Sequence, residues 1–361
     1  MTFEEARAAF PVLERYAYLN AGSAGPMARR TYDAIVEAER DELGPRGGSE
    51  AFNRIVELRE ELRGVVAGQI DVDAERISLT SSTSEACRVV VAGLDLRPED
   101  EIVTTDAEHF GLLGPVHASR ARVRVAAVRD RPVAEALDAI LTEVGPRTRL
   151  IALSHVLWLN GHVIPVGELK EAVSAPLLVD GAQSVGAIAV DAEPFDFYTV
   201  SGQKWLCGPT PTGGLYVRDP EALRVAGPSY FSQRAYEPDG SFEPSAGARR
   251  FDQSWIPAAF IAGLEAAVAD APDWKFDRAR AMTDLCRARL VDAGFDVVTE
   301  PGQGTLVSWR WVDDTKEAVI KLGQEGVVIR DLPRTGLLRA SCGYWTSEDD
   351  VERLVAGLSA L

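Results

Sequence analysis

The chain has 361 residues, 46% hydrophobic and 26% charged, a balance that suits a soluble enzyme built as one large α/β domain or two unequal ones. Acidic residues outnumber basic ones 55 to 38, and the net charge of −17 argues against nucleic acid and anionic membrane surfaces, which are recognised through clustered Lys and Arg. No apolar run is long enough to span a bilayer, and the opening MTFEEARAAF carries acids where a signal peptide has a basic region, so a cytoplasmic setting is expected. The four cysteines, Cys87, Cys207, Cys286 and Cys342, form no CxxC pair, which fits a reduced compartment without a disulfide framework or metal cluster.

Short β-branched or apolar runs alternate with amphipathic ones through the first 220 residues. The strand candidates are Arg76–Thr80, Glu101–Thr105, Arg122–Val128, Arg149–Ser154, Leu177–Asp180, Phe195–Ser201 and Gly214–Arg218. Helical stretches such as Thr83–Leu94, Pro132–Val144 and Val166–Ser174 lie between them. This rhythm predicts an α/β fold, a mostly parallel seven-stranded sheet sandwiched by helices. Pro228–Ser254, rich in Pro, Gly, Ser and Arg, reads as a long loop. A helix over Ala258–Asp270 then leads to a smaller α+β unit, with a helix around Asp277–Asp292, strand candidates Phe295–Val298, Leu306–Trp311, Val327–Arg330 and Leu337–Ser341, and a closing helix capped by Ser347.

In an open parallel sheet, ligands bind beyond the carboxyl ends of the strands. Those positions hold Ser82 and Thr83 at a helix start, Glu108-His109, Ser154-His155, Asp180 with Gln183, and Ser201-Gly202-Gln203-Lys204. Taken singly, each has an ordinary explanation: Ser82 as an N-cap, His109 as a packed histidine, Asp180 as a turn cap. Lys204 stands out, because it is one of five lysines in the chain and is followed by Trp205, Leu206 and Cys207, an apolar setting that lowers an amine pKa. Hydroxyls at a helix N-terminus, an acid on a central strand and a desolvated lysine together suit pyridoxal 5'-phosphate. That cofactor needs a Schiff-base lysine, an anion opposite its pyridine nitrogen and donors for its phosphate. Sequence signatures of other cofactors and hydrolases (GxxxxGK, HExxH, GxSxG and GxGxxG) are absent.

Tyr18-Leu19-Asn20-Ala21-Gly22, Thr80–Ala86, Glu108-His109, Val179–Ser184 and Ser201–Val217 together resemble the class V aminotransferase family of fold type I pyridoxal phosphate enzymes, which includes cysteine desulfurases, isopenicillin N epimerases and cystine C–S lyases. The resemblance implies three parts: an N-terminal segment 1–17 packing with the small domain, a large cofactor domain 18–255, and a linking helix with the small domain 256–361. It implies that Lys204 carries the cofactor, Asp180 pairs with the ring nitrogen, Gln183 reaches the ring hydroxyl, and His109 stacks on the ring. Ser82, Thr83 and Ser201 would hold the phosphate, with Gln203 beside them where many members have histidine. Arg339 matches the arginine for the substrate α-carboxylate, and Arg330, Asn20 and Trp158 would complete the substrate side. A homodimer with the active site at the subunit boundary is implied too, the Pro228–Ser254 loop reaching across it.

The departures narrow the chemistry. The segment Arg330–Arg339 has no cysteine where desulfurases keep their sulfur acceptor, and Trp158 replaces their asparagine. Ser254-Trp255 stands for the usual Gly-Thr, and Pro211 for a glycine after the lysine. The expected reaction is therefore β-elimination at an amino acid with C–S cleavage. Epimerisation or transamination is the alternative, and a non-catalytic binding protein on the same scaffold the third reading.

Overall fold

The central sheet holds seven strands: β1 (Ile77–Thr80), β2 (Glu101–Thr105), β3 (Arg122–Ala126), β4 (Thr148–Ser154), β5 (Leu177–Asp180), β6 (Phe197–Ser201) and β7 (Gly213–Val217). The computed structural model that shows them describes residues 1–253 and 255–361. Their order is β1-β7-β6-β5-β4-β2-β3; β2 to β6 run parallel, and β7 lies antiparallel between β6 and β1. Every residue of β1, β2, β5, β6 and β7 is buried, as expected of strands covered on both faces. The seven strands expected for this sheet all form, with ends shifted by up to two residues.

Two helices, Arg29–Asp41 and Ser49–Gly68, precede the sheet. The first packs against Ala258–Ala269. A second sheet, β8 (Leu306–Arg310), β9 (Arg330–Leu332) and β10 (Leu337–Ser341), is antiparallel in the order β8-β10-β9. The N-terminal segment packs beside it. Ala17–Tyr18 pairs in parallel with Val327–Val328, Arg7 Nη1 meets Asp350 Oδ2 at 2.6 Å, and Phe10 packs on Trp345.

Three expectations are corrected. Val327–Arg330 is not one strand: Val327–Val328 is drawn to the N-terminal segment, and Arg330 opens β9 on the other side of Ile329. Phe295–Val298 makes a single bridge, Val297 to Trp309, rather than a strand. The Pro228–Ser254 stretch is not a plain loop, because Gln233–Tyr236 and Phe242–Pro244 form a hairpin and Gly247–Phe251 a 3-10 turn. Its arginines are committed within the chain, Arg234 to Glu243, Arg249 to Glu60 and Arg250 to Glu221. Ser254 lies outside the described residues; Trp255 beside it is 55% exposed.

Candidate active site

Asp180 ends β5, and its neighbours fix one of its two oxygens. Oδ1 accepts from the Ala182 amide (3.0 Å) and from Thr199 Oγ1 (2.9 Å) on β6, whose hydroxyl in turn accepts from the Gly181 amide. Among the described residues Oδ2 accepts no hydrogen bond, so a buried carboxylate keeps one oxygen for a cationic or N–H partner. Three residues on, the Gln183 amide bridges two distant segments, donating to the Gly22 carbonyl (2.8 Å) and accepting from Trp205 Nε1 (3.0 Å). A primary amide has two N–H groups, so one remains for a ligand.

Lys204 follows β6 on a tight turn. Burial is the main cause that lowers its pKa to about 8; Arg339 and Arg330 push the same way, and the Asp180 carboxylate opposes them. An amine near its pKa at physiological pH serves as nucleophile and as base. Gly25 is required here: a Cβ on it would stand 2.1 Å from the Lys204 carbonyl. Ser201 Oγ donates to Gln203 Oε1 at 3.0 Å, so this hydroxyl is engaged inside the turn and offers acceptor capacity instead of its proton.

Ser82 is the N-cap of the helix Thr83–Gly93, its Oγ accepting from the Glu85 amide at 3.3 Å, so the ordinary explanation applies as well. Thr83 is buried in the first turn. His109 caps the next helix, Phe110–Ala118, with Nδ1 accepting from the Gly111 amide (3.1 Å), which puts the proton of the neutral ring on Nε2. Its ring meets Trp158 edge-on at 5.1 Å. Burial first, then the positive charges of Lys204, Arg330 and Arg339, lower its pKa and keep it neutral.

Arg339 on β10 is fully buried. Nη1 donates to the Trp158 carbonyl at 2.8 Å, while Nε and Nη2 are buried without a partner. Burial, reinforced by Arg330, lowers its pKa to about 9. A buried guanidinium with two idle donor positions and no carboxylate partner among the described residues is costly unless an anion arrives. Gly22 leaves the room, since a Cβ there would stand 2.5 Å from Nη2. Arg330 lies directly opposite on β9, as the register partner of Arg339. It donates to Ser23 Oγ (3.1 Å) and to the Asp331 carbonyl (3.2 Å), and its guanidinium lies 6.0 Å from the Trp158 ring. It pairs with no carboxylate among the described residues, Asp331 included. Asn20 supports it indirectly, through an Oδ1 that accepts from Ser23 Oγ at 2.8 Å.

All twelve residues singled out from the sequence thus stand at the ends of β1, β2, β4, β5 and β6, or on β9, β10 and the Asn20–Ser23 turn that joins them. Sequence reasoning missed Thr199, Trp205 and Ser23. A hydroxyl two residues before the end of β6, and Ser23 just past the Asn20-Ala21-Gly22 motif, were the available signals.

An aspartate and a lysine of lowered pKa at the carboxyl ends of the parallel strands, with a buried arginine of the smaller sheet that keeps two donors idle, define an enzyme site for an anionic, amine-bearing ligand. Residues 18–241 match the model of the family aminotransferase class-V, and the chain belongs to it. The chain is 28% identical to the isopenicillin N epimerase of Streptomyces clavuligerus over 395 aligned positions, covering 99% of this chain and 98% of that one. It is 33% identical over 226 positions to a probable cysteine desulfurase of Methanothermobacter thermautotrophicus, covering 60% and 56% of the two chains. The solved cystine C–S lyase C-DES, in complex with its reaction product cysteine persulfide, superposes with a TM-score of 0.88 at 27% identity, over 97% of this chain and 99% of that one.

Proposed function

We propose that this protein is a pyridoxal 5'-phosphate enzyme that removes a β-thiolate from an amino acid, cleaving a C–S bond. The single observation that carries the reading is the convergence of Lys204, the free oxygen of Asp180 and the idle donors of Arg339 on one site. The likeness to a cystine C–S lyase supports it. The residues fit the cofactor. Lys204 would hold it covalently, Asp180 Oδ2 would face its ring nitrogen, the second Gln183 N–H its ring hydroxyl, and His109 its face. Ser82, Thr83 and Gln203 would line the phosphate end, with Ser201 orienting the Gln203 amide toward it. Bound there, the cofactor supplies an electron sink for charge developing at Cα.

The chain's own residues do the rest. Arg339 takes the α-carboxylate through Nε and Nη2, a planar fork matched to two oxygens. Lys204 holds or gives up a proton at Nζ near neutral pH and is the base for the Cα proton. Asn20, Ser23, Arg330 and Trp158 line the substrate side, where a second acidic group would meet Arg330. Sulfur transfer onto a protein cysteine is disfavoured: Cys342 is fully buried beyond β10, and burial raises the Cys207 thiol far above its ordinary pKa.

That lack of an acceptor favours elimination over sulfur transfer; over epimerisation it is favoured by the likeness to the cystine C–S lyase and by the paired arginines, which suit a substrate with carboxylates at both ends. We also infer a homodimer in the cytoplasm. Tyr230 and Trp255, 53% and 55% exposed, form an aromatic face with Phe52 and Phe231 that a second copy would cover. The test is a screen of cystine, cysteine, cysteine sulfoxides and ordinary amino acids, scored for pyruvate, sulfide and keto acids. Pyruvate from cystine supports elimination, whereas keto acids or inverted amino acids alone replace it with transamination or epimerisation.

A further inference from the structure

The segment Leu157–Val163 lies between β4 and the helix Val166–Ala172, and it is closed on itself. The Gly161 amide donates to the Leu157 carbonyl (2.9 Å), the Leu157 amide to the His162 carbonyl (2.9 Å), and Asn160 Oδ1 accepts from the His162 amide (3.1 Å). Asn160 Nδ2 also donates to the Arg129 carbonyl (3.3 Å), and further contacts run to the C-terminal part of the chain. The Val163 amide donates to Gln303 Oε1 at 2.9 Å, the Gly304 amide to the Gly161 carbonyl at 3.2 Å, and the Glu300 amide to His162 Nε2 at 3.4 Å. Gly161 has φ +76°, and a Cβ there would stand 2.5 Å from the Leu306 carbonyl, so the backbones of this hairpin and β8 touch.

The tip of the same hairpin is Trp158, whose carbonyl holds Arg339 Nη1. This is the one hydrogen bond that the Arg339 guanidinium makes among the described residues; its other donors are idle. Gln303 sits at the opposite end, at the antiparallel bridge between Val156 and Val163, with no hydrogen bond of its own to the site residues among the described residues. The geometry points to a positioning role: we propose that Gln303, by holding Val163, sets the pose of the hairpin and hence of the Trp158 carbonyl that aims Arg339 at its carboxylate. Gln303 thereby acts as a positioning residue for substrate affinity. The inference rests on the reading of Arg339 as the α-carboxylate residue.

The test uses the cofactor-loaded enzyme and compares dissociation constants for glycine and for glycinamide, which lacks the carboxylate, measured from the visible-absorbance change on binding. Gln303→Ala should weaken glycine about threefold to tenfold and leave glycinamide unchanged. Gln303→Glu keeps an oxygen for the Val163 amide and should restore glycine binding. Cystine turnover should show the loss in KM with kcat retained. Equal weakening of both ligands, or of neither, in Gln303→Ala overturns the inference. Arg339→Ala separates the two layers: if it leaves the glycine-to-glycinamide ratio unchanged, the carboxylate reading itself fails. If Arg339→Ala changes the ratio and Gln303→Ala does not, only the positioning role falls.

Discussion

Arg330 and Arg339 face each other across β9 and β10 as register partners, two guanidiniums opposed in a sheet and paired with no carboxylate among the described residues. Like charges directly opposite destabilise a sheet, and burial of one of them adds to the cost. Such a pair is explained by a ligand that brings negative charge.

That arrangement sets the first prediction. Arg339→Ala should lower kcat/KM for every amino-acid substrate by about 10-fold to 100-fold, the worth of a charge-assisted bidentate contact. Arg330→Ala should cost as much on a substrate with a second carboxylate and little on one without. Lysine at either position restores charge without the fork, so rescue should be partial. Equal losses for Arg330→Ala on both substrate classes would reduce Arg330 to scaffold.

Lys204 yields a prediction in pH. In the proposed role its free amine would capture the cofactor's aldehyde, and its pKa is lowered to about 8, mainly by burial. The rate at which the cofactor-free protein takes up pyridoxal 5'-phosphate should therefore rise with pH through about 8 and level off above it. Because the folded pKa lies below that of an exposed lysine, Lys204 adds stability above the unfolded value. That contribution fades as pH falls through the folded one. Lys204→Ala should abolish the borohydride-reducible yellow absorbance. A rate that keeps climbing toward pH 10.5 would show that the amine is not desolvated.

The strands of the central sheet were legible because each is a short apolar run bounded by turn residues, and a two-sided burial permits little else. Lys204 and Asp180 stood out by residue type at strand ends, whereas Arg339, inside β10, was pointed to only by the family resemblance. The helices Arg29–Asp41 and Ser49–Gly68 were not read, since charged residues fill much of the first and it buries only Thr31 completely. The hairpin from Gln233 to Pro244 likewise has no buried residue in its strands, so alternation carried no signal. The hydrogen bond between Ser23 and Arg330 joins residues 307 positions apart, and the one between Gln183 and Gly22 spans 161. Contacts of that span depend on the topology and leave no trace in local spacing.

Glu108, next to His109, was read only as part of a motif, and the structure gives it a definite burden. Its carboxylate accepts from Thr105 Oγ1 (2.7 Å), Ser154 Oγ (2.5 Å) and the Ser154 amide (3.0 Å), tying the ends of β2 and β4 together. Burial raises its pKa to about 7, with the Asp180 charge adding to the effect. A raised carboxyl favours the folded state below about pH 4.5, and that contribution is lost as pH climbs through 7. Glu108→Gln keeps an oxygen for Ser154 and removes the buried charge. Relative to the parent, its Tm should be higher at pH 8 than at pH 5, with a difference of up to about 3 kcal/mol. Thermal melts at the two pH values check this, and an equal offset at both would mean that Glu108 does not titrate there.

The last prediction concerns the knot that anchors the segment leading to Trp255. Asp252 is 1% exposed and its two oxygens are shared out. Oδ1 accepts from the Leu79 amide (2.9 Å) and Arg63 Nη1 (3.0 Å), and Oδ2 from Arg63 Nη2 (2.8 Å) and Arg59 Nη2 (3.0 Å). Both arginines are buried as well, and Arg59 lies 4.0 Å from the Phe231 ring. The knot is a poor source of net stability, because three charged groups left water to form it. Removing Asp252 is another matter, since two buried guanidiniums would lose the carboxylate they share, and Glu60, 38% exposed beside Arg63, does not take its buried place. Asp252→Asn should cost about 3–5 kcal/mol, read as a lower denaturation midpoint in urea. The effect should reach the proposed subunit face too. Gln253, the next residue, donates its amide to the Leu79 carbonyl, so loss of the knot frees the chain just before Trp255 and loosens Phe231 beneath Arg59. Sedimentation of the variant, below its unfolding midpoint, should therefore show weaker self-association than the parent. A fully dimeric variant with the expected loss of stability would separate the knot from the interface and move the dimer contact elsewhere on the surface.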